Sequence, residues 1–466
     1  MRVIKNFSYT LISNTISVFL STLITLLVPK MLGAENYGYF QLYLFYCSYT
    51  GFLHFGIADG ALLRYGGRYY NDLNKNLFSG QFWSLAVFEV FISIVVCACA
   101  SFFIEGEKSR VWVFVGLVIV LTIPRYFLQL TLQATNRIRE YAFIVVIEKI
   151  VYLIGVLACL VTKQESWQPF VLADLIGKVI ASIYCLISCK EIVLSKPVSL
   201  LQSLYEAKEN IIPGIKITFA TIASMLIIGL VRLAIENQWD ITTFGKVSLT
   251  LSISNLLMVF INAVALVMFP MLRRTDSDKL SSIYNIMRTG LMIPLLGLLV
   301  FYYPAKVILS AWLPKYQDSL AYMALLFPMC VFESKMSMLI NTYIKTLRKE
   351  KWLLLVNVIT VVLSAVATAI TVFWLHNLDL AVASIVFLLA FRCVFAELLL
   401  STAMEIHVHW DIFLELLLAV VFITSSWFVG GLTGLLIYTG TYCIYLYLKR
   451  KDIIGLTKKL SEYIKK

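Results

Sequence analysis

Long apolar stretches alternate with short polar joints along the whole chain. About fourteen stretches approach or exceed the ~20 mainly apolar residues that a helix needs to cross a bilayer. They cover 9–32, 37–58, 79–104, 111–134, 141–162, 169–189, 212–236, 241–271, 284–311, 319–344, 352–375, 379–403, 411–429 and 432–448. Apolar character is continuous within them and lacks the period-two alternation of barrel strands, so the pattern predicts helices. The joints leave no room for an inserted water-soluble domain. In the longest, about 190–213, Leu201, Leu204 and Tyr205 fall at helical spacing beside Glu206, Lys208 and Glu209. A short amphipathic helix on the membrane surface is expected there. The tail repeats the pattern, with Ile453, Leu456, Leu460 and Ile464 set against lysines. A solvated connector is the plainer reading of both.

The pattern also repeats on a larger scale. Tyr37-Gly38-Tyr39-Phe40-Gln41-Leu42 aligns with Phe244-Gly245-Lys246-Val247-Ser248-Leu249. Leu62-Leu63-Arg64-Tyr65 aligns with Met271-Leu272-Arg273-Arg274, and Asn136-Arg137 with Leu347-Arg348. The offset stays between about 207 and 211 residues. Six spans per repeat is an even number, so both halves enter the membrane in the same direction, related by an axis along its normal. The expected fold is therefore an all-α integral membrane protein. Two six-helix bundles, 1–189 and 212–403, surround a central cavity and are joined by the amphipathic linker 190–211. A helix hairpin, 404–448, is appended at the periphery, and a basic tail, 449–466, follows. This is the architecture of an alternating-access transporter.

Composition confirms the solvent. Of 466 residues, 60% are hydrophobic and 14% charged, and the mean hydropathy is +0.85. Average soluble domains carry about 25% charged residues. A soluble enzyme, a nucleic-acid-binding domain and a secreted disulfide scaffold are excluded. The net charge of +12 then reads as an excess of Lys and Arg on the cytoplasmic side. With the N-terminus inside, the inner loops hold Arg64, Arg68, Lys75, Arg137, Arg139, Lys190, Lys196, Lys208, Lys216, Arg273, Arg274, Lys279, Arg288, Lys345, Arg348, Lys349 and Lys351. The outer loops hold only Lys30, Lys108, Arg110, Lys163, Lys306 and Lys315. Both termini are expected in the cytoplasm, as an even number of spans requires. The first apolar run is too long for a signal-peptide core and is expected to be retained. The nine cysteines lie within or at the ends of apolar runs and read as packing residues.

Ionisable residues inside spans are costly, so each is a functional candidate. The cations are Arg125, Lys149, Lys178, Arg232, Lys246, Lys335 and Arg392; the acids are Glu89, Glu148, Asp174, Glu333, Glu397 and Glu415. Arg125 and Lys335 lie 210 residues apart, close to the repeat offset, and share their spans with Pro124 and Pro328. Arg125 has no acid beside it in its own span. Duller readings stand beside these. Asp174 and Lys178 are four apart and can pair on one helix face. Lys149, Arg232 and Lys246 sit near span ends, where they can snorkel. Arg392 has Glu397 five positions away, a poor helical spacing for a pair. His54 is expected to be packed and hydrogen-bonded. His407 and His409 alone make no metal site. The GxxxG patterns at 56–60 and 430–434 permit close helix contact. No Walker loop, zincin helix or nucleophile elbow occurs, and no cofactor, metal or enzymatic activity is expected.

Leu32-Gly33-Ala34-Glu35-Asn36-Tyr37-Gly38-Tyr39-Phe40, Phe55-Gly56-Ile57, Arg64-Tyr65 and Gln133-Ala134-Thr135-Asn136-Arg137 together resemble the Wzx-type O-antigen and capsule flippases. These form the polysaccharide-export branch of the multidrug/oligosaccharidyl-lipid/polysaccharide exporter superfamily. The resemblance implies a flippase of the bacterial cytoplasmic membrane. It would carry an undecaprenyl-pyrophosphate-linked oligosaccharide from the inner to the outer leaflet, with polysaccharide polymerase and glycosyltransferase partners. On that reading Arg125, Lys335, Arg392, Lys178, Arg232 and Lys246 are the candidate substrate-binding residues, since Arg and Lys give charge-assisted donors to phosphate. The alternatives are a multidrug exporter of the same fold, a membrane-embedded polymerase or glycosyltransferase, and a flippase for the peptidoglycan lipid precursor.

Overall fold

The computed structural model describes residues 2–256 and 280–455. The described residues are helical throughout, without strands. Eleven helices are long and apolar enough to cross a membrane, and a bent pair, Ser319–Leu326 with Met329–Thr346, makes up to twelve. The chain is a multi-pass membrane protein. Two of the fourteen expected spans depart from this count. The run 241–271 is helical over 241–256 and otherwise lies outside the described residues, as do Arg273, Arg274, Lys279 and the tail from 456 onwards. The run 37–58 is broken. It forms α2 (Ala34–Thr50), a 3-10 turn (Gly51–His54) and α3 (Ile57–Tyr65), following α1 (Arg2–Met31). Phe55 and Gly56 take φ of 48° and 86° at the break, which ends the helix.

The chain divides into two compact units, Met1–Ile222 and Ala223–Lys466. In the first, α4 (Lys75–Phe103) packs along α5 (Glu107–Ala134), and α6 (Ile138–Val161) along α7 (Gln168–Ser188) and α1. The core gathers Phe78, Phe82, Ile119, Phe127, Leu128 and Ile144. Asn74 caps α4, accepting from the Leu77 amide at 3.2 Å, which satisfies one of the open amides of the first turn.

The expected separate linker helix is not separate. Its residues form the first turns of α8 (Leu200–Gln238), a 39-residue helix with Pro213 inside it. The amphipathic pattern is real: Leu201, Leu204 and Tyr205 are exposed, while Ser203, Ala207 and Asn210 are buried. The apolar run 212–236 lets the same helix continue without a stop signal. Asp240 then caps α9 (241–256), accepting from the Thr243 amide at 2.9 Å. Bonding to Thr243 holds its carboxyl below the ordinary range.

In the second unit α10 (Leu280–Leu298) leads through a 3-10 turn into α11 (Tyr302–Trp312). Next come α12 (Met329–Thr346), whose middle, Lys335–Ile340, is π-helical, and α13 (Glu350–Thr368), which ends in a π stretch, Ala369–Trp374. Then follow α14 (Leu378–Met404), α15 (His409–Thr424, extended by the π turn Ser425–Val429) and α16 (Gly431–Leu448). The core holds Tyr284, Phe332, Leu339, Tyr343, Leu389 and Leu400.

Repeated backbone turns mark the two halves. Asn136 (φ 61°) ends α5 and Arg348 (φ 54°) ends α12, both in the left-handed region. The Arg137 amide reaches the Leu132 carbonyl, and the Lys349 amide the Ile344 carbonyl, each at 2.9 Å. This is the same closing motif of a helix end. It registers Asn136 with Arg348, one residue later than the sequence alignment. A second pair follows at Lys163 (φ 52°) and His376 (φ 48°).

Candidate functional site

The buried charges of the first unit form one network. Arg125 on α5 finds its acid on the next helix: Glu148 on α6, at 2.6 Å. A second guanidinium nitrogen donates to the Lys178 carbonyl at 3.3 Å. Lys178 pairs with Asp174 one turn earlier on α7, and lies 4.0 Å from Glu148. Tyr43 on α2 donates to Asp174 at 2.6 Å. Thus Arg125 and Lys178 come together, and the expected i,i+4 pair is formed. Two cations face two carboxylates, which satisfies the rule that buried charges are paired.

A larger network lies in the second unit. Lys335 on α12 is bound between Glu397 of α14 and Glu415 of α15, the latter at 2.7 Å. Arg288 on α10 reaches Glu397 at 2.8 Å, Glu415 at 2.9 Å and Asp411 at 3.0 Å. Tyr284 donates to Glu397 at 3.0 Å. Lys449 at the end of α16 pairs with Asp411, and with Asp452 at 2.9 Å. Two expectations are corrected here. Arg288 is not a loop residue: it is 2% exposed within α10. Nor is the hairpin merely peripheral, because Glu415, 4% exposed, ties α15 into the charge core of its unit.

Arg392 pairs with Glu333 at 2.8 Å and Asn357 at 2.9 Å; its expected neighbour Glu397 belongs to Lys335 and Arg288. Arg232 on α8 donates to Ser248 at 2.9 Å and lies over the Phe244 ring at 5.3 Å. Lys246, on α9 and partly buried, makes no ion pair among the described residues. His54 is buried, accepts from the Gly56 amide at 2.9 Å and stacks on Tyr126.

A third polar seam escaped the sequence reading. Arg64 of α3 binds Glu206 at 2.8 Å and Asn210 at 2.7 Å on α8; Tyr65 donates to Glu206 at 2.7 Å. Asn210 donates to Gln81 of α4 at 2.6 Å, and Thr218 donates to Asp59 at 2.9 Å. The backbones touch because Gly56, Gly60 and Gly214 carry no side chains. A Cβ on Gly60 would lie 1.7 Å from the Asn210 carbonyl oxygen. The GxxxG at 56–60 was the available signal; Arg64 was hidden among the loop cations.

Compared with known proteins, the chain matches no family model and no curated sequence. Its fold does match solved structures. The lipid II flippase MurJ, in an inward closed conformation, aligns with a TM-score of 0.62 at 13% identity, over 97% of this chain and 100% of that one. An inward-facing multidrug resistance MATE transporter of the MOP superfamily gives 0.60 at 12% identity, over 83% and 95%. A crystal structure of a MATE mutant gives 0.57 at 12%, over 86% and 96%. At these identities the likeness speaks for architecture: the chain has the helical fold of these solved transporters.

Proposed function

We propose that the chain is a transporter that flips an undecaprenyl-pyrophosphate-linked oligosaccharide outward across the bacterial cytoplasmic membrane, with both termini inside. The observation that carries this reading is the extent of the structural match. The flippase aligns over 97% of this chain, whereas the two multidrug transporters align over 83% and 86%. The sugar polymerase and glycosyltransferases are its proposed partners. An anionic head group moving outward from a negative interior gains about 2.3 kcal/mol per charge per 100 mV.

In this proposal Arg125, Lys178, Lys335 and Arg392 serve the pyrophosphate by exchange. Each already holds a carboxylate, and the phosphate oxygens would displace Glu148, Asp174, Glu397 or Glu333 in turn. Arg232 and Lys246 would assist near the outer ends of their helices. The test is transport of a defined lipid-linked sugar in liposomes, normalised to folded protein. A charge-assisted contact to phosphate contributes roughly 1.5–3 kcal/mol, so Arg125→Ala is expected to weaken transport about ten- to a hundredfold. Arg125→Lys should retain part, since the charge stays and the fork is lost. Unchanged transport per folded molecule in Arg125→Ala would remove Arg125 from the site.

A second reading, export of cationic drugs, is favoured by the charge balance. Arg125 and Lys178 are neutralised by Glu148 and Asp174, so the interior they share is not net cationic. Efflux of a cationic dye from vesicles, with no flipping of the lipid-linked sugar, would select this reading.

A further inference from the structure

Glu89 lies midway along α4 and is fully buried, and neither carboxyl oxygen has a hydrogen-bond partner among the described residues. Asp174, Glu397 and Glu415, buried to a similar degree, each hold a lysine. The charged and titratable groups on the elements around Glu89 are spoken for or remote along the helices. On α5 these are Glu107, Lys108 and Arg110 near one end, and Arg125 and Tyr126 near the other; Arg125 is committed to Glu148. The turn Lys190–Val193 packs on α4 and brings Lys190 and Glu191, the latter 3.7 Å from Lys75. Beside Phe88, Phe55 follows His54, whose ring nitrogen lies 3.9 Å from Asp59. Cys97 and Cys99 follow on α4 itself. None of these is hydrogen-bonded to the Glu89 carboxyl.

Helices α4 and α5 are antiparallel and stitched by side chains that donate to carbonyls across the seam. Ser109 donates to Ala100 at 2.9 Å, Cys97 to Val113 at 3.8 Å and Ser93 to Gly116 at 2.8 Å. Gly116 permits the approach, since a Cβ there would meet the Cys97 sulfur at 2.5 Å. Extended by four residues along each helix, the register of Ser93 with Gly116 pairs position 89 with position 120. The Val120 carbonyl is the one whose helical donor would be the amide of residue 124, and residue 124 is proline. An unpaired carboxylate is too costly to persist in such a place, whereas the neutral acid has one O–H to give.

We propose that Glu89 is a proton-binding site inside the membrane: as the neutral acid it donates to the Val120 carbonyl and closes the α4–α5 seam, and on losing its proton it leaves the seam. The proton passes to water admitted there, and the carboxylate keeps the charge. The proposal needs only the span, not the identity of the cargo, so its failure leaves the flippase reading standing.

The test uses the purified full chain in lipid nanodiscs and the neutral isostere Glu89→Gln. Infrared spectra at neutral pH are expected to lose one protonated-carboxyl carbonyl band in Glu89→Gln; identical spectra would overturn the proton site. The seam is read by maleimide modification of Cys97, resolved by mass spectrometry, with exposed Cys99 and Cys443 as references for the reactivity of thiols at each pH. In alkaline buffer the Cys97-to-Cys99 rate ratio should rise in the native chain and stay flat in Glu89→Gln. Equal ratios in both proteins at every pH would overturn the coupling to the seam.

Discussion

Lys335→Met is expected to destabilise the protein by about 3–5 kcal/mol, the usual consequence of removing one partner from a buried ion pair. Lys335 stands between Glu397 and Glu415, all three nearly inaccessible. Without it, two carboxylates share, among the described residues, only the Arg288 guanidinium and the hydroxyl of Tyr284. The effect should reach the hairpin first, because Glu415 is the anchor of α15. Adding Glu415→Gln to Lys335→Met should recover most of the loss, since the surplus negative charge is then gone. Thermal unfolding of the purified variants measures both. If Lys335→Met unfolds with the native protein, Lys335 is not a structural tie, and its loss should be sought in transport instead.

Gly60→Ala is expected to cost about 3 kcal/mol or more. The added methyl would sit 1.7 Å from the Asn210 carbonyl oxygen, where ordinary contact needs about 3.5 Å. Helix α3 must then back away from α8. Overpacking alone costs roughly 1–3 kcal/mol. The separation also stretches the bonds from Arg64 to Glu206 and Asn210, and hydrogen bonds to charged groups contribute about 1.5–3 kcal/mol each. Gly51→Ala is the control: a Cβ there meets nothing within 4 Å, so it should stay within about 0.5 kcal/mol of the native protein. Equal melting of Gly60→Ala and Gly51→Ala would show that the two helices are not in register at Gly60.

The spans were legible because a bilayer demands uninterrupted apolar helices, and little else satisfies that pattern. Asp174 with Lys178 was legible because four residues on a helix is also a distance in space. Arg125 with Glu148 was not, since its partner lies on the neighbouring helix and only packing brings it near. Arg288 was misplaced for a similar reason. It sits at the edge of an apolar run, where a basic residue looks like a loop cation, and nothing local announces three carboxylates contributed by α14 and α15. The break at Phe55-Gly56 lies within a run that reads as continuously apolar. It packs directly against the backbone of a glycine on α8 more than 150 residues later, which no local pattern contains.

The π stretch at Ala369–Trp374 records a length difference between the halves. The matching helix-end turns at Asn136 and Arg348 lie 212 residues apart. The Thr162 amide then reaches back four residues to Ala158, but the Leu375 amide reaches back five, to Ile370. At Lys163 and His376 the interval is 213. The extra residue of this interval is accommodated where one helical turn widens from a four-residue to a five-residue hydrogen bond, as a π turn inside an α-helix does. The second half thus carries a codon's worth of slack. A single in-frame deletion between 369 and 374 would tighten that turn to the α-helical form of its counterpart at 158–162, while the helices on either side keep their own sequence.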